Sequence, residues 1–178
     1  MIGHLGFSYV GLVYLLMLWI PNAIWSKNKP IDYRPDRENR VLLIFERAGQ
    51  VCCTCCVLIF TDLNMAPFSG RSLWLSASFF SMILYELNWI RYFLNEHTEE
   101  NFYRNFCGIP VPAASLPVLA FLLLGIYGNV IWLILSSILL GIGHIGIHIQ
   151  HLRAIEKVLK ESIFPVKRVT ISLPFSLF

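Results

Sequence analysis

Charge is what this sequence has least of. Only 14% of its 178 residues are Asp, Glu, Lys or Arg, whereas 56% are hydrophobic and the mean hydropathy is +0.62. A soluble domain carries about 25% charged residues, so this chain is too poor in charge to be read as an ordinary water-soluble domain. The signatures of several enzyme classes are missing too. There is no P-loop, no nucleophile elbow and no glycine-rich dinucleotide fingerprint. No internal repeat or low-complexity tract occurs, and the two halves differ too much for an inverted-repeat carrier. The first apolar run has no basic stretch before it, and lysines instead of small residues follow it. It is therefore expected to be a retained helix and not a cleaved signal.

What the chain does have is apolar length. A membrane-crossing helix needs roughly 20 predominantly apolar residues, and runs at 5–25, 41–61, 73–94, 111–127 and 130–152 approach or meet that need. The fourth is short, and Pro112 and Pro117 blur its start. The expectation is an all-α, polytopic membrane bundle of about five transmembrane helices over residues 1–161, followed by a cytoplasmic or membrane-surface tail, 162–178. Tyr9, Trp19, Trp25, Trp74, Trp89, Tyr92 and Tyr127 gather near the expected helix ends, as interfacial aromatics do. Gly125, Gly128, Gly141, Gly143 and Gly146 would allow close helix approach.

Basic residues orient the bundle. Lys27, Lys29, Arg34, Arg37 and Arg40 fill the first loop, Arg91 and Arg104 mark the third, and Arg153, Lys157, Lys160, Lys167 and Arg168 follow the last run. The second loop has only Arg71 and the fourth, "YGN", has none. Lys and Arg collect on the cytoplasmic side, which puts the N-terminus out and the C-terminus in, in a cell membrane. The net charge of +3 is then a matter of topology and implies no nucleic-acid partner. The expected partners are the lipid bilayer and, because five helices make a slim bundle, a second copy or another membrane subunit.

This orientation gathers the ionisable residues into one layer. Glu46, Arg47 and Gln50 on the second run, Glu86, Asn88 and Arg91 on the third, and His144, His148 and His151 on the fifth all fall in its cytoplasmic half. A charge at a helix centre costs about 2.5–3.5 kcal/mol on insertion, so such groups are expected to face a cavity and to pair. Glu86 and Arg91 are five apart and point in different directions, so Glu86 is expected to meet Arg47 or a histidine. Glu46 and Gln50 are four apart and share a face. His144, His148 and His151, at i, i+4 and i+7, form one stripe. His144 and His148 have the spacing of a metal-binding pair, with His151 as a possible third ligand, so a divalent metal is one cofactor to consider. Yet Ile145 stands where a zinc-protease helix carries its glutamate. Alternatively, His148 and His151 sit as interfacial anchors.

Cys52, Cys53, Cys55 and Cys56 contain overlapping C-x-x-C patterns, which elsewhere mark redox or zinc sites. At mid-membrane a thiolate is disfavoured, and these cysteines are expected to act as small packing residues. Pro21 and Asn22 read as the inner boundary of the first helix, and Pro117 as a kink. "NEHTEENFYRNF" reads as a short surface helix, with Phe102 and Phe106 on one side, or as a solvated loop. The functional expectation is a polar, cytoplasm-facing intramembrane cavity that binds or transports a small molecule or ion. A membrane-embedded metal-dependent or lipid-modifying enzyme is the alternative, and a structural or assembly subunit a further one.

Overall fold

The chain is described here from a computed structural model, which covers residues 3–30, 33 and 38–163, with side chains to Lys160. The tail from 164 to 178 and loop residues Arg34 and Arg37 lie outside the described residues. Every regular element is helical: α1 (Tyr9–Lys27), α2 (Arg40–Ile59), α3 (Ser72–Phe93), the short α4 (Glu99–Tyr103), α5 (Pro112–Gly128) and α6 (Ile131–Ile163), with one helical turn at Thr61–Leu63. No strand occurs among the described residues.

Three of the helices, Tyr9–Lys27, Arg40–Ile59 and Ile131–Lys160, are long and apolar enough to cross a membrane, and Pro112–Gly128 is a shorter apolar helix. α3 has the length, at 22 residues, but its serines, Glu86 and Asn88 dilute its hydropathy.

Local chemistry sets the boundaries. The Ser8 side chain caps α1 by accepting from Gly11 N at 2.9 Å, and Asn39 caps α2 by accepting from Val41 N at 2.8 Å. Pro112 occupies the first turn of α5, where its missing N–H costs nothing. Asn129, in the left-handed region at φ 54°, ends α5 and lets Val130 N donate back to Gly125 O at 2.9 Å. The chain then turns directly into α6.

Several boundaries differ from the sequence expectation. α1 does not stop at Pro21 but runs through it to Lys27. Proline removes one backbone donor from a helix interior, and here the Asn22 side chain donates to Leu18 O at 2.7 Å and to the Tyr85 hydroxyl at 2.8 Å. The surface helix shrinks to α4, because Phe106 leaves the helix to bridge with Ile109. Phe102 and Phe106 therefore share no helix face. α6 continues well past residue 152.

The helices pack α2 on α6, α3 on α5 and α5 on α6, with α1 leaning on α2 and α3. Two glycines bring α2 and α6 together. A Cβ on Gly143 would stand 2.2 Å from Glu46 N, and one on Gly49 would stand 2.5 Å from the Leu140 backbone. Only hydrogen fits there, so the two backbones touch, as small-residue contacts between apolar helices do. α1 meets α2 as closely at one point, Gly11, where a Cβ would fall 1.8 Å from Val57 O. Between these contacts Tyr14, Val57, Met82, Tyr85, Phe121 and Leu124 form a buried core.

Candidate functional site

Gly143 places the next residue. With α2 against α6 at that point, His144 Nδ1 lies 2.5 Å from the Glu46 carboxylate. One turn on, His148 packs with its ring centroid 4.6 Å from that of His144, and Phe102 and Tyr103 lie 5.8 and 5.5 Å from it. His148 Nδ1 is buried and has no hydrogen-bond partner. His151 stacks between the rings of Tyr33, at 5.5 Å, and Tyr103, at 5.7 Å, and contacts Glu38 through Nε2 at 3.3 Å. The stripe thus faces inward along its length, and His151 is sandwiched between aromatic rings. Burial, and then the charge of nearby Glu38, push the Tyr33 hydroxyl up to about 12. Burial, and then Tyr33, Glu99 and Glu38, push that of Tyr103 higher still. Both stay neutral phenols.

Two cavities meet at His144. The larger, about 520 Å³, is a mainly apolar cleft walled by Leu15, Trp19, Gln50, Pro117, Phe121 and Leu140. Trp19, Gln50 and Val51, which flank it, are exposed. The smaller, about 150 Å³, is a chamber with mixed walls: Trp25, Tyr33, Trp89 and Phe102 supply rings, and Glu38 and Glu46 supply carboxylates. His148 completes its wall. Asn22, Ala113 and His144 line both, so the cleft and the chamber adjoin.

Other predicted residues lie elsewhere. Glu46 and Gln50, expected to share one cavity, are divided between two: Gln50 lines the cleft and Glu46 the chamber. Arg47 is exposed and belongs to neither. Glu86 meets neither Arg47 nor a histidine, since the ion pairs among the described residues are His4–Asp62, His144–Glu46 and His151–Glu38. Its Oε1 is buried without a partner, as is Asn88 Oδ1, and neither residue lines the cavities. Arg91 is a bracket for the loop after α4. It donates to Asn101 O at 3.1 Å and to Arg104 O and Asn105 O at 3.3 Å, with its guanidinium 5.5 Å from the Phe106 ring centre. The reason is visible on α3. Ser78, Met82, Tyr85, Trp89 and Tyr92 follow the helical period and take the buried face, which turns Glu86 away from the chamber.

The metal expectation finds no assembled ligand set. Among the described residues no group of three His, Cys, Asp or Glu side chains is placed to hold an ion. All four cysteines of α2 are free. Cys53 and Cys56 pack on α6 with sulfur 3.9 Å from the Ser137 hydroxyl and 3.8 Å from that of Ser136, while Cys52 and Cys55 are exposed.

Of the chamber's lining the sequence pointed only to Glu46, His144 and His148; Asn22, Trp25, Tyr33, Glu38, Trp89 and Phe102 were not among its candidates. A signal existed for Trp89 in the aromatic stripe of α3. Tyr33 and Glu38 sit in a loop whose path no periodicity reveals. No protein-family model, curated protein or solved structure matches this chain.

Proposed function

We propose that this is a five-span protein of the cell membrane, N-terminus out and C-terminus in, that binds a small amphiphilic molecule drawn from the bilayer. Its tail would occupy the cleft and its head the chamber. The observation that carries this reading is that the two cavities adjoin and share Asn22, Ala113 and His144 in their walls. Ligand sites are typically mostly apolar hollows of about 300–1,000 Å³ with a few convergent polar groups, and the cleft of about 520 Å³ ending at Glu46 and His144 has that form. A layer of polar residues that only braced helices would be expected to close on itself, whereas His148 Nδ1 is left without a partner.

The topology rests on α3 and α5 crossing as well as the three longer helices, and on the distribution of basic residues. Single cysteines at Ser69 and Lys160, in a chain lacking the native cysteines, test it. Ser69 should react with an external reagent in intact cells and Lys160 only after permeabilisation; the reverse pattern refutes the orientation. For binding, Ala113 is the junction residue. Ala113→Leu should weaken binding of the uncharged probe dodecanol by roughly tenfold, since overpacking a filled wall costs about 1–3 kcal/mol. Unchanged dodecanol binding in a folded variant would place the tail elsewhere.

One observation supports a catalytic reading. An imidazole hydrogen-bonded to a carboxylate at the end of an apolar cleft has the arrangement of a general base and its orienting group. Turnover of a bound probe, absent in His144→Gln, would favour that reading over simple binding.

A further inference from the structure

The chamber is selective in its chemistry. Its walls supply two carboxylates, Glu38 and Glu46, four aromatic rings and two imidazoles, and no Lys or Arg among the described residues lines it. An anionic head would face both carboxylates at close range, with only two histidines among the described lining residues to offset them. A neutral polar head would gain little from four rings. A cation gains from both kinds of wall, because aromatic faces attract ammonium groups and carboxylates pair with them. The structure already contains one such contact in this wall: the Lys29 ammonium lies 5.2 Å from the centre of the Trp25 ring.

We infer that the head group recognised in the chamber is an ammonium, primary or quaternary, carried on an apolar tail that lies in the cleft. This rests on the proposed reading of the two cavities as one site, and it adds the charge of the ligand. The His144–Glu46 and His151–Glu38 contacts hold the carboxylates in place when the chamber is empty. An entering ammonium would share those carboxylates with the imidazoles.

A matched set of probes tests the inference: dodecylamine, dodecyltrimethylammonium, dodecanol and dodecanoate, titrated against the full chain in uncharged detergent and read by native mass spectrometry. Tetramethylammonium alone distinguishes recognition of the head from recognition of the whole amphiphile. The two ammonium amphiphiles should bind roughly tenfold or more tighter than dodecanol, and dodecanoate should bind weakest. Tetramethylammonium alone should bind far more weakly than its dodecyl counterpart. Glu46→Gln should reduce the ratio of ammonium to alcohol affinity by about tenfold. Should that variant fold poorly, Glu38→Gln should lower the same ratio. If dodecanol and dodecanoate bind as well as the amines, the ammonium inference falls while the amphiphile site stands. If no dodecyl probe binds saturably, the amphiphile reading itself falls. If tetramethylammonium binds as tightly as the long-chain form, the chamber is a site for free cations and the cleft plays no part.

Discussion

The two ends of the bundle each carry a histidine–carboxylate pair, and they use it differently. At one end His4 Nδ1 lies 2.8 Å from Asp62, and the same carboxylate accepts from His4 N at 2.5 Å. Around this pair the backbone is stitched shut: Gly6 N donates to Ile59 O and Ser8 N to Leu58 O, both at 2.9 Å, and Thr61 N donates to His4 O at 3.0 Å. Asn64 accepts from Tyr9 N and donates to Phe7 O, while Tyr127 accepts from Ala66 N and donates to Asn64 O. At the other end there are two pairs, His151–Glu38 and His144–Glu46, and the side chains of the latter are only 23% and 13% exposed, against 86% and 23% for His4 and Asp62. Two cavities adjoin it and a buried imidazole nitrogen nearby goes unpaired. The first pair ties the N-terminal segment to the end of α2. The second, His144–Glu46, stands where two cavities adjoin.

The contrast can be broken most severely through the helix contact that creates the second pair. Gly143→Ala would put a methyl 2.2 Å from Glu46 N and should cost about 3 kcal/mol of stability while separating His144 from Glu46. Gly70→Ala, with nothing within 4 Å, should change stability by less than about 0.5 kcal/mol. Thermal unfolding in detergent compares the two. Equal losses would mean that the α2–α6 contact is not as close as described.

A sharper test separates stability from binding. Because His148 Nδ1 is buried and unpartnered, His148→Leu should raise stability by about 1 kcal/mol and weaken ammonium amphiphile binding. If unfolding temperature and binding fall together, His148 is a structural residue and the second end resembles the first. An effect of comparable size and opposite sign is expected midway along α2. Cys53→Ala, at a buried site, should lower stability by about 1 kcal/mol, whereas Cys52→Ala and Cys55→Ala, at exposed sites, should not. Cys52→Ala, outside the cleft, should keep full probe binding, and Cys53→Ala and Cys55→Ala, in its wall, should change it by a few-fold at most. Loss of binding in all of them with normal folding would bring thiol chemistry back.

The smallest expected effect is the pH response of the N-terminal strap. The hydrogen bond to Asp62, and then its charge, raise His4 above 6.5. Burial pushes the Asp62 carboxyl up, but its His4 contacts outweigh this and leave it below 3.8. A raised histidine stabilises fully below its unfolded value and loses that contribution as pH rises through the higher folded value. A lowered aspartate stabilises above its unfolded value and loses it as pH falls through the lower folded one. The strap should therefore be firmest between the two unfolded values, 3.8 and 6.5. Amide exchange at Gly6, Ser8 and Thr61, corrected for intrinsic rates, should slow least outside that window. Protection that does not vary with pH would show that the pair contributes nothing.

The sequence revealed the layer better than the partners within it. Apolar runs located the long helices because length and hydropathy are local properties. The His144 stripe was legible from its spacing, and its meeting with Glu46 follows from small residues on a shared helix contact. Glu86 misled because burial was argued from charge alone, while the more extensive stripe of Ser78, Met82, Tyr85, Trp89 and Tyr92 decided how α3 is rotated. Arg91 was read as a buried charge seeking a carboxylate, but backbone carbonyls of a loop satisfy it, and a loop's path is not written in any period. Tyr33 and Glu38 were invisible for the same reason.

The cleft and the chamber are proposed to act as one site, and photolabelling with a dodecylamine whose tail carries a diazirine decides it. Saturable labelling of Trp19, Gln50 or Phe121 in the cleft is expected, competed by unlabelled dodecylamine and reduced in Glu46→Gln. Labelling confined to outward-facing residues such as Phe80, Leu87 and Ile90, with neither competition nor dependence on Glu46, would contradict it.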